Sequence, residues 1–281
     1  MALTAAAPAP SPPPDGGPAR TAGALRRLAR RVAPGLRALV VTAHPDDETL
    51  GATTLFSRAR EVHLLCLTDG APRAERFRPA GAPRRREDYA RLRRRELEAA
   101  LAEAGVAPER LEQLDVPDQE ALWNLPRLVG AVAGAVGRLA PDLVVTHPYE
   151  GGHPDHDAAA LAVSRGAAGW PVAEMTSYHR VPGGHSVQDF LPAETDRWAV
   201  AIPLDDAECA LRRRMLDRHS SQAEVLRGFP EPSAEGFRPA PRYDFAAPPH
   251  PGPLFYELLG MPPGAAAWRA AAAGAVPEVP P

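Results

Sequence analysis

Apolar positions along this chain alternate between two patterns, and the alternation predicts its elements. Residues 36–43 (LRALVVTA) and 61–70 (EVHLLCLTDG) are short apolar runs that read as buried strands, and between them residues 48–59 (ETLGATTLFSRA) carry helical spacing. That is one βαβ unit, expected to be right-handed with its two strands parallel. A polar Arg- and Pro-rich loop over 71–85 precedes a long helix over 87–105, which Gly105 and Pro108 stop. A strand near 110–116, a helix over 126–140 and an apolar strand over 142–148 continue the series. Beyond Gly169 the pattern weakens: 173–181 and 197–204 read as strands and 205–222 as a helix opened by acidic residues. From Phe229 onward Pro, Gly and Ala dominate and only irregular structure is expected.

This series implies an α/β fold, a Rossmann-like three-layer sandwich with a mostly parallel central sheet. Ligands of such sheets bind beyond the C-terminal ends of the strands. The expected organisation is a Pro/Ala-rich disordered tail over 1–20, one α/β domain over 21–228, and a Pro/Gly/Ala-rich extension over 229–281 packed in part on the domain. A short helix is expected over 22–33.

Composition narrows the chemistry. With 281 residues, 44% of them hydrophobic, the chain can bury one sizeable core. Its net charge of −3 gives no global drive toward nucleic acid or anionic membranes. All 32 basic residues are Arg, so a Schiff-base lysine, a P-loop lysine and a Ser-Lys dyad are excluded. Cys66 and Cys209 lie far apart and support neither a disulfide framework nor a thiolate metal site. Proline interrupts the N-terminal segment, so no secretory signal is read there, and no run is long and apolar enough to insert into a membrane. A cytoplasmic protein is expected. Oligomeric state is unreadable, and a homo-oligomer remains open.

Two polar clusters then stand out at strand ends. AHPDDE (43–48) follows one apolar strand and HPYEGGHPDHD (147–157) follows another. A single His-Pro-Asp at a strand end is a common turn whose Asp caps the next helix. Two of them, both where an open sheet places its ligands, point to one shared metal site, because imidazole and carboxylate are ligands of zinc-like ions. His44, Asp47 and His156 are candidate ligands, with Asp46 as a neighbouring general base and His153 as an acid or oxyanion partner oriented by Asp155. Spacing alone does not decide whether Asp46 or Asp47 is the ligand.

AHPDDETLG and GGHPDHDA, together with LTDGA, RRRELEAALAEAG and HSSQ, resemble the LmbE-like, or PIG-L, family of zinc-dependent N-acetyl-sugar deacetylases over about residues 36–222. The resemblance implies His44, Asp47 and His156 as zinc ligands, Asp46 as general base, and His153 with Asp155 behind it at the oxyanion or leaving group. It implies removal of an N-acetyl group from a glucosamine-containing small molecule or glycoconjugate. Fe2+ also suits two histidines and one carboxylate. Asp69, Arg73 and Asp118 are candidate substrate contacts on loops, as are His147 beside the second cluster and Gln222 in HSSQ. Glu48 reads as a first-turn helix acid, His219 as a helix-end packing residue, and His179 as a loop histidine without partners. The runs Arg84–Arg86 and Arg91–Arg95 read as a solvated helix face. Two other readings stay open: a metal-dependent phosphohydrolase, which would want a second metal, and a non-catalytic sugar- or nucleotide-binding protein, which lacks a G-x-G-x-x-G or P-loop signature.

Overall fold

The apolar run at 36–43 does form a strand inside a larger sheet, and the rest of the chain is built around it. The computed structural model describes residues 17–31 and 35–275. Most of the expected 1–20 tail lies outside the described residues, but its end belongs to helix α1 (Pro18–Ala29). Then follow β1 (Arg37–Thr42), α2 (Asp47–Gly51), α3 (Thr53–Arg58), β2 (Glu61–Cys66), α4 (Arg86–Glu103), β3 (Leu111–Gln113), α5 (Leu125–Leu139), β4 (Leu143–Thr146) and α6 (Pro154–Gly166). The C-terminal part contributes β5 (Val172–Met175), β6 (Tyr178–Val181), β7 (Gly184–Val187), β8 (Val200–Pro203), α7 (Asp206–Arg218), α8 (Ala223–Leu226), β9 (Ala234–Pro239), α9 (Phe255–Leu258) and α10 (Ala265–Ala275).

Seven strands form one sheet in the order β3-β2-β1-β4-β5-β9-β8. Pairing is parallel from β3 through β5 and antiparallel at β5–β9 and β9–β8. Alternate residues of β1 face opposite layers. Leu39 and Val41 pack in a core with Leu128 and Val132 of α5 and Leu161 of α6; Ala38 and Val40 pack in a second core with Leu25 and Leu28 of α1 and Leu97 of α4. This is the three-layer α/β sandwich that the alternation of apolar runs predicts. The chain leaves β1 toward β2 on one side, and β4 returns on the other, so the strand order reverses between β1 and β4. A crevice opens at such a switch point, beyond the strands' C-terminal ends.

Three expectations are corrected. The helix over 48–59 breaks at Ala52 into α2 and α3, because the buried Glu235 carboxylate accepts from the N–H groups of Thr53 and Thr54, at 2.8 and 2.9 Å, and starts a new helix there. The strand over 173–181 is two strands: the chain leaves the sheet after Met175 and forms the β6–β7 hairpin. The region after Phe229 is not only irregular, since β9 inserts into the main sheet between β5 and β8. Its residues Glu235 and Arg238 are buried through ionic and polar partners rather than apolar contacts, so the strand carries almost no hydrophobic signal. The segment proposed as an extension therefore completes the sheet.

Candidate active site

The loop after β1 turns sharply enough to place Asp46 at φ 115°, a left-handed conformation that costs a non-glycine residue free energy. Its neighbours hold it there. The Asp46 N–H donates to Glu48 Oε2 at 3.0 Å, and Arg93 Nη2 donates to Asp46 Oδ2 at 3.1 Å while also bonding the Pro45 carbonyl. Glu48, fully buried, accepts from Thr49 Oγ1 at 2.6 Å and lies 3.3 Å from His219 Nε2.

From the other side of the crevice, the loop after β4 and the first turn of α6 bring three histidines to the same place. His44 and His153 rings meet edge-on with centroids 4.5 Å apart, and His147 stacks on His156 at 3.9 Å. His44 Nδ1 lies 3.4 Å from Asp47 Oδ2, and its Nε2 lies 3.2 Å from both Asp118 Oδ1 and Asp155 Oδ2. His156 Nε2 is 3.3 Å from Asp47 Oδ1, and its Nδ1 is 3.1 Å from Ser177 Oγ. Gly152, in the same loop, has its backbone against Tyr178 of β6: a Cβ there would strike the Tyr178 carbonyl oxygen.

Among the described residues, three sets of potential ligand atoms lie mutually within 4.8 Å: His44, His153 and His156; His44, Asp118, His153 and Asp155; and Asp47, His147 and His156. His44 and Asp47 each meet His156, but in different sets.

The charges explain how these groups are poised. Burial pushes His153 down to about 3, helped by His44, and burial with His147 holds His156 down to about 4. Burial also works against protonating His44, yet Asp118, Asp155 and Asp47 outweigh it and hold that imidazole well above its ordinary range. Burial would raise Asp47, but His156 and His147 keep it below the usual carboxylate range; for Asp118 burial is outweighed by His44 in the same way. Asp46 goes in the opposite direction: burial raises it to about 6 against the pull of Arg93.

A cavity of about 150 Å³ stands over the cluster, lined by His44, Asp46, Asp47, Asp118, His153 and His156, with Arg93, Gln222 and several apolar side chains around them. Two candidates lie elsewhere. Asp69 is bound by Arg86 at 2.5 Å and by the Ala71 N–H, and Arg73 is exposed and held by Glu120 at 2.5 Å, so neither lines the cavity. Asp155 does not orient the His153 ring with its carboxylate. That carboxylate accepts from the N–H groups of Gln119 and Ala121, at 2.6 and 3.1 Å, while the Asp155 N–H donates to His153 Nδ1 at 3.2 Å. His147 sits behind the cavity, its Nε2 accepting from the Ala43 N–H at 3.1 Å. Gln222 lines the cavity and donates to the Tyr89 hydroxyl. His179 is a buried residue of β6, 3.4 Å from Glu150, rather than a loop histidine without partners.

Arg93 is the cavity-lining residue that the sequence reading does not single out. The Arg-rich run predicts a solvated helix face, and neighbours such as Arg94, paired with Glu98 at 2.6 Å, do behave that way. Arg93 and Glu96 instead share the buried face of α4, three residues apart. Glu96 accepts from Ser220 Oγ, the Ser221 N–H and Ser221 Oγ at 2.6–2.9 Å, so one helix face ties the HSSQ turn to Asp46. The signal that could have found this was the Arg-x-x-Glu spacing within the Arg-rich run.

An open, mostly parallel sheet with histidines and aspartates converging at its switch point defines an α/β protein with a candidate metal-binding crevice. Residues 39–167 match the family model for PIG-L, GlcNAc-PI de-N-acetylase. A 1D-myo-inositol 2-acetamido-2-deoxy-alpha-D-glucopyranoside deacetylase of Mycolicibacterium smegmatis is 32% identical over 168 residues, which is 50% of this chain and 58% of that protein. A Bacillus subtilis protein named "Probable N-acetyl-alpha-D-glucosaminyl L-malate deacetylase 2" is 32% identical over 135 residues, 45% of this chain and 58% of that one. The chain thus spans little more than half the length of these curated relatives. A crystal structure of a deacetylase complex from the biosynthesis pathway of teicoplanin shares the fold, with TM-score 0.55 and 19% identity over 74% of this chain and 99% of that chain.

Proposed function

We propose that this chain is a metal-dependent N-deacetylase that hydrolyses the N-acetyl group of an N-acetylglucosamine-containing small molecule or glycoconjugate. The observation that carries the reading is the meeting of His44 and Asp47 with His153 and His156 at the switch point, beside an Asp46 that Arg93 holds in place. Both curated relatives are named for removing acetyl from an alpha-D-glucosaminyl group and differ in what that sugar carries.

The donor set fits a divalent ion. Asp118 Oδ1 is buried without a hydrogen-bond partner and faces the Nε2 atoms of His44 and His153, at 3.2 and 3.6 Å. Carboxylates surround His44 closely enough to favour its protonated form, so the crevice is short of positive charge. His44, Asp47 and His156 would hold the ion, zinc or Fe2+ by ligand type. When bound, it supplies Lewis-acid chemistry, polarising the amide carbonyl and acidifying water.

The protein's own groups do the rest. Asp46, raised to about 6 and lining the cavity, takes a proton from the attacking water as the water oxygen bonds to the carbonyl carbon. His153 is neutral, and because its Nδ1 accepts the Asp155 N–H, its proton resides on Nε2. That N–H donates to the oxyanion of the tetrahedral intermediate. Collapse breaks the C–N bond, and Asp46 returns its proton to the departing amine, leaving acetate and the free glucosamine.

The test is metal content by elemental analysis, in parallel with acetate release from N-acetylglucosaminides, on wild type, His156→Ala and Asp46→Asn. Expected are about one ion per wild-type chain, loss of it in His156→Ala, and metal retained but most turnover lost in Asp46→Asn. An Asp46→Asn protein with wild-type turnover would refute the base assignment. Two ions per chain would move the reading to a phosphohydrolase.

A further inference from the structure

The cavity changes character from floor to mouth. Its floor groups, His44, Asp46, Asp47, His153 and His156, are all buried. At the mouth, Phe77, Val225, Leu226, Phe229 and Met261 line the same cavity and are all partly or largely exposed, Val225 to 50%. Three separate segments supply them: the loop before α4, the turn around α8, and the chain after α9. An apolar collar contributed by three loops is costly to leave in water and is stabilised when an apolar ligand covers it.

Charge narrows the occupant further. Arg93, the arginine among the lining residues, is already engaged by Asp46 and the Pro45 carbonyl, while Asp46, Asp47 and Asp118 put carboxylates on the floor. Arg76 lies nearby with its guanidinium over the Phe77 ring at 4.6 Å, but it does not line the cavity. An anionic aglycone such as malate would therefore enter a carboxylate-lined site with no unengaged arginine among the described lining residues, and the collar offers little hydrogen bonding to a polyhydroxylated one.

We infer that the substrate is an N-acetylglucosaminide whose aglycone is apolar, an aryl or alkyl group seated on the collar of Phe77, Val225, Phe229 and Met261. The inference rests on the N-deacetylase reading for its chemistry, and on the cavity's own lining for its choice of aglycone.

The experiment measures acetate release by the metal-loaded protein from the methyl, phenyl and octyl glycosides of N-acetylglucosamine, the last below its micellar concentration, and from the malate glycoside. Binding of the methyl and octyl compounds to Asp46→Asn protein is measured by calorimetry in parallel. Expected is a kcat/KM at least tenfold higher for phenyl and octyl than for methyl, with the ratio falling below threefold in Phe229→Ser and reduced in Val225→Asn, whose exposed side chain puts folding at little risk. Equal rates on all four would overturn the inference and leave the deacetylase reading standing. Fastest turnover of the malate glycoside would also overturn it, and would point to Arg76. If no compound released acetate but octyl bound tenfold tighter than methyl, the apolar-ligand inference would hold and the deacetylase reading would fall; no turnover and no binding preference would end both.

Discussion

The guanidinium of Arg93, on the buried face of α4, stands 3.1 Å from the carboxylate of Asp46, a residue of the first His-Pro-Asp loop. The two come from elements 47 positions apart, and both are nearly excluded from solvent. Breaking such a pair from one side leaves a buried charge uncompensated, which costs about 3–5 kcal/mol. Arg93→Met is therefore expected to destabilise strongly, and the Arg93→Met/Asp46→Asn double variant by less than the sum of the singles. Urea unfolding of the four proteins should give a coupling of about 1 kcal/mol or more. Additive effects would mean that the contact does not hold Asp46 in place.

Metal should stabilise the native chain through the same crevice. Ligand present at about 100 times its dissociation constant adds about 2.7 kcal/mol. Added zinc is expected to raise the melting temperature of metal-stripped wild type and to have little effect on a His44→Ala/His156→Ala variant. Equal shifts in both would place the ion elsewhere.

Gly152 is expected to tolerate no side chain, because its Cβ would strike the Tyr178 carbonyl oxygen. Gly152→Ala should cost about 1–3 kcal/mol, as overpacking does, and should lower metal content as His153 and the first turn of α6, which carries His156, shift. Gly184→Ala, with nothing within 4 Å of its Cβ, is the matched control. Calorimetric melting and elemental analysis of the pair check this, and a Gly152→Ala protein matching the control would contradict it.

Acid sensitivity should trace in part to Glu208, which joins α7 to α3 through Arg58 at 2.7 Å and Ser57 Oγ at 2.6 Å. Burial favours its neutral form, but these partners and the Asp205 N–H pull it from 4.5 down to about 2. A carboxylate depressed on folding contributes stability above its unfolded value and loses it as pH falls toward the folded one. The stability gap between wild type and Glu208→Gln is thus expected to be widest near neutral pH and to close as pH falls from 4.5 to about 2. A gap independent of pH would assign the effect to packing instead.

Thiol chemistry offers a simple check of the core. Cys66 is fully buried at the end of β2, and burial pushes its thiol up to about 12. A disulfide reagent at neutral pH is expected to reach the half-buried Cys209 in native protein and Cys66 only after unfolding. Rapid labelling of Cys66 would show that this strand opens.

The sequence by itself determined the parts of the protein that local pattern encodes. Apolar runs specified β1, β2 and β4, helical spacing specified α4 and α5, and the two His-Pro-Asp stretches marked both loops of the crevice, because a parallel sheet's strand ends are where polar clusters can meet a ligand. Tertiary structure decided the rest, where a residue's role depends on a distant partner. β9 was invisible because Glu235 and Arg238 are buried through polar groups on other elements. Asp155 anchors the Gln119–Ala121 backbone and touches His44, and Asp118 arrives within 3.2 Å of the same imidazole, a distance no spacing in the chain could state. Arg93 looks like its solvated neighbours in one dimension. Only the packing of α4 against the first loop turns it inward and gives its charge a partner in Asp46.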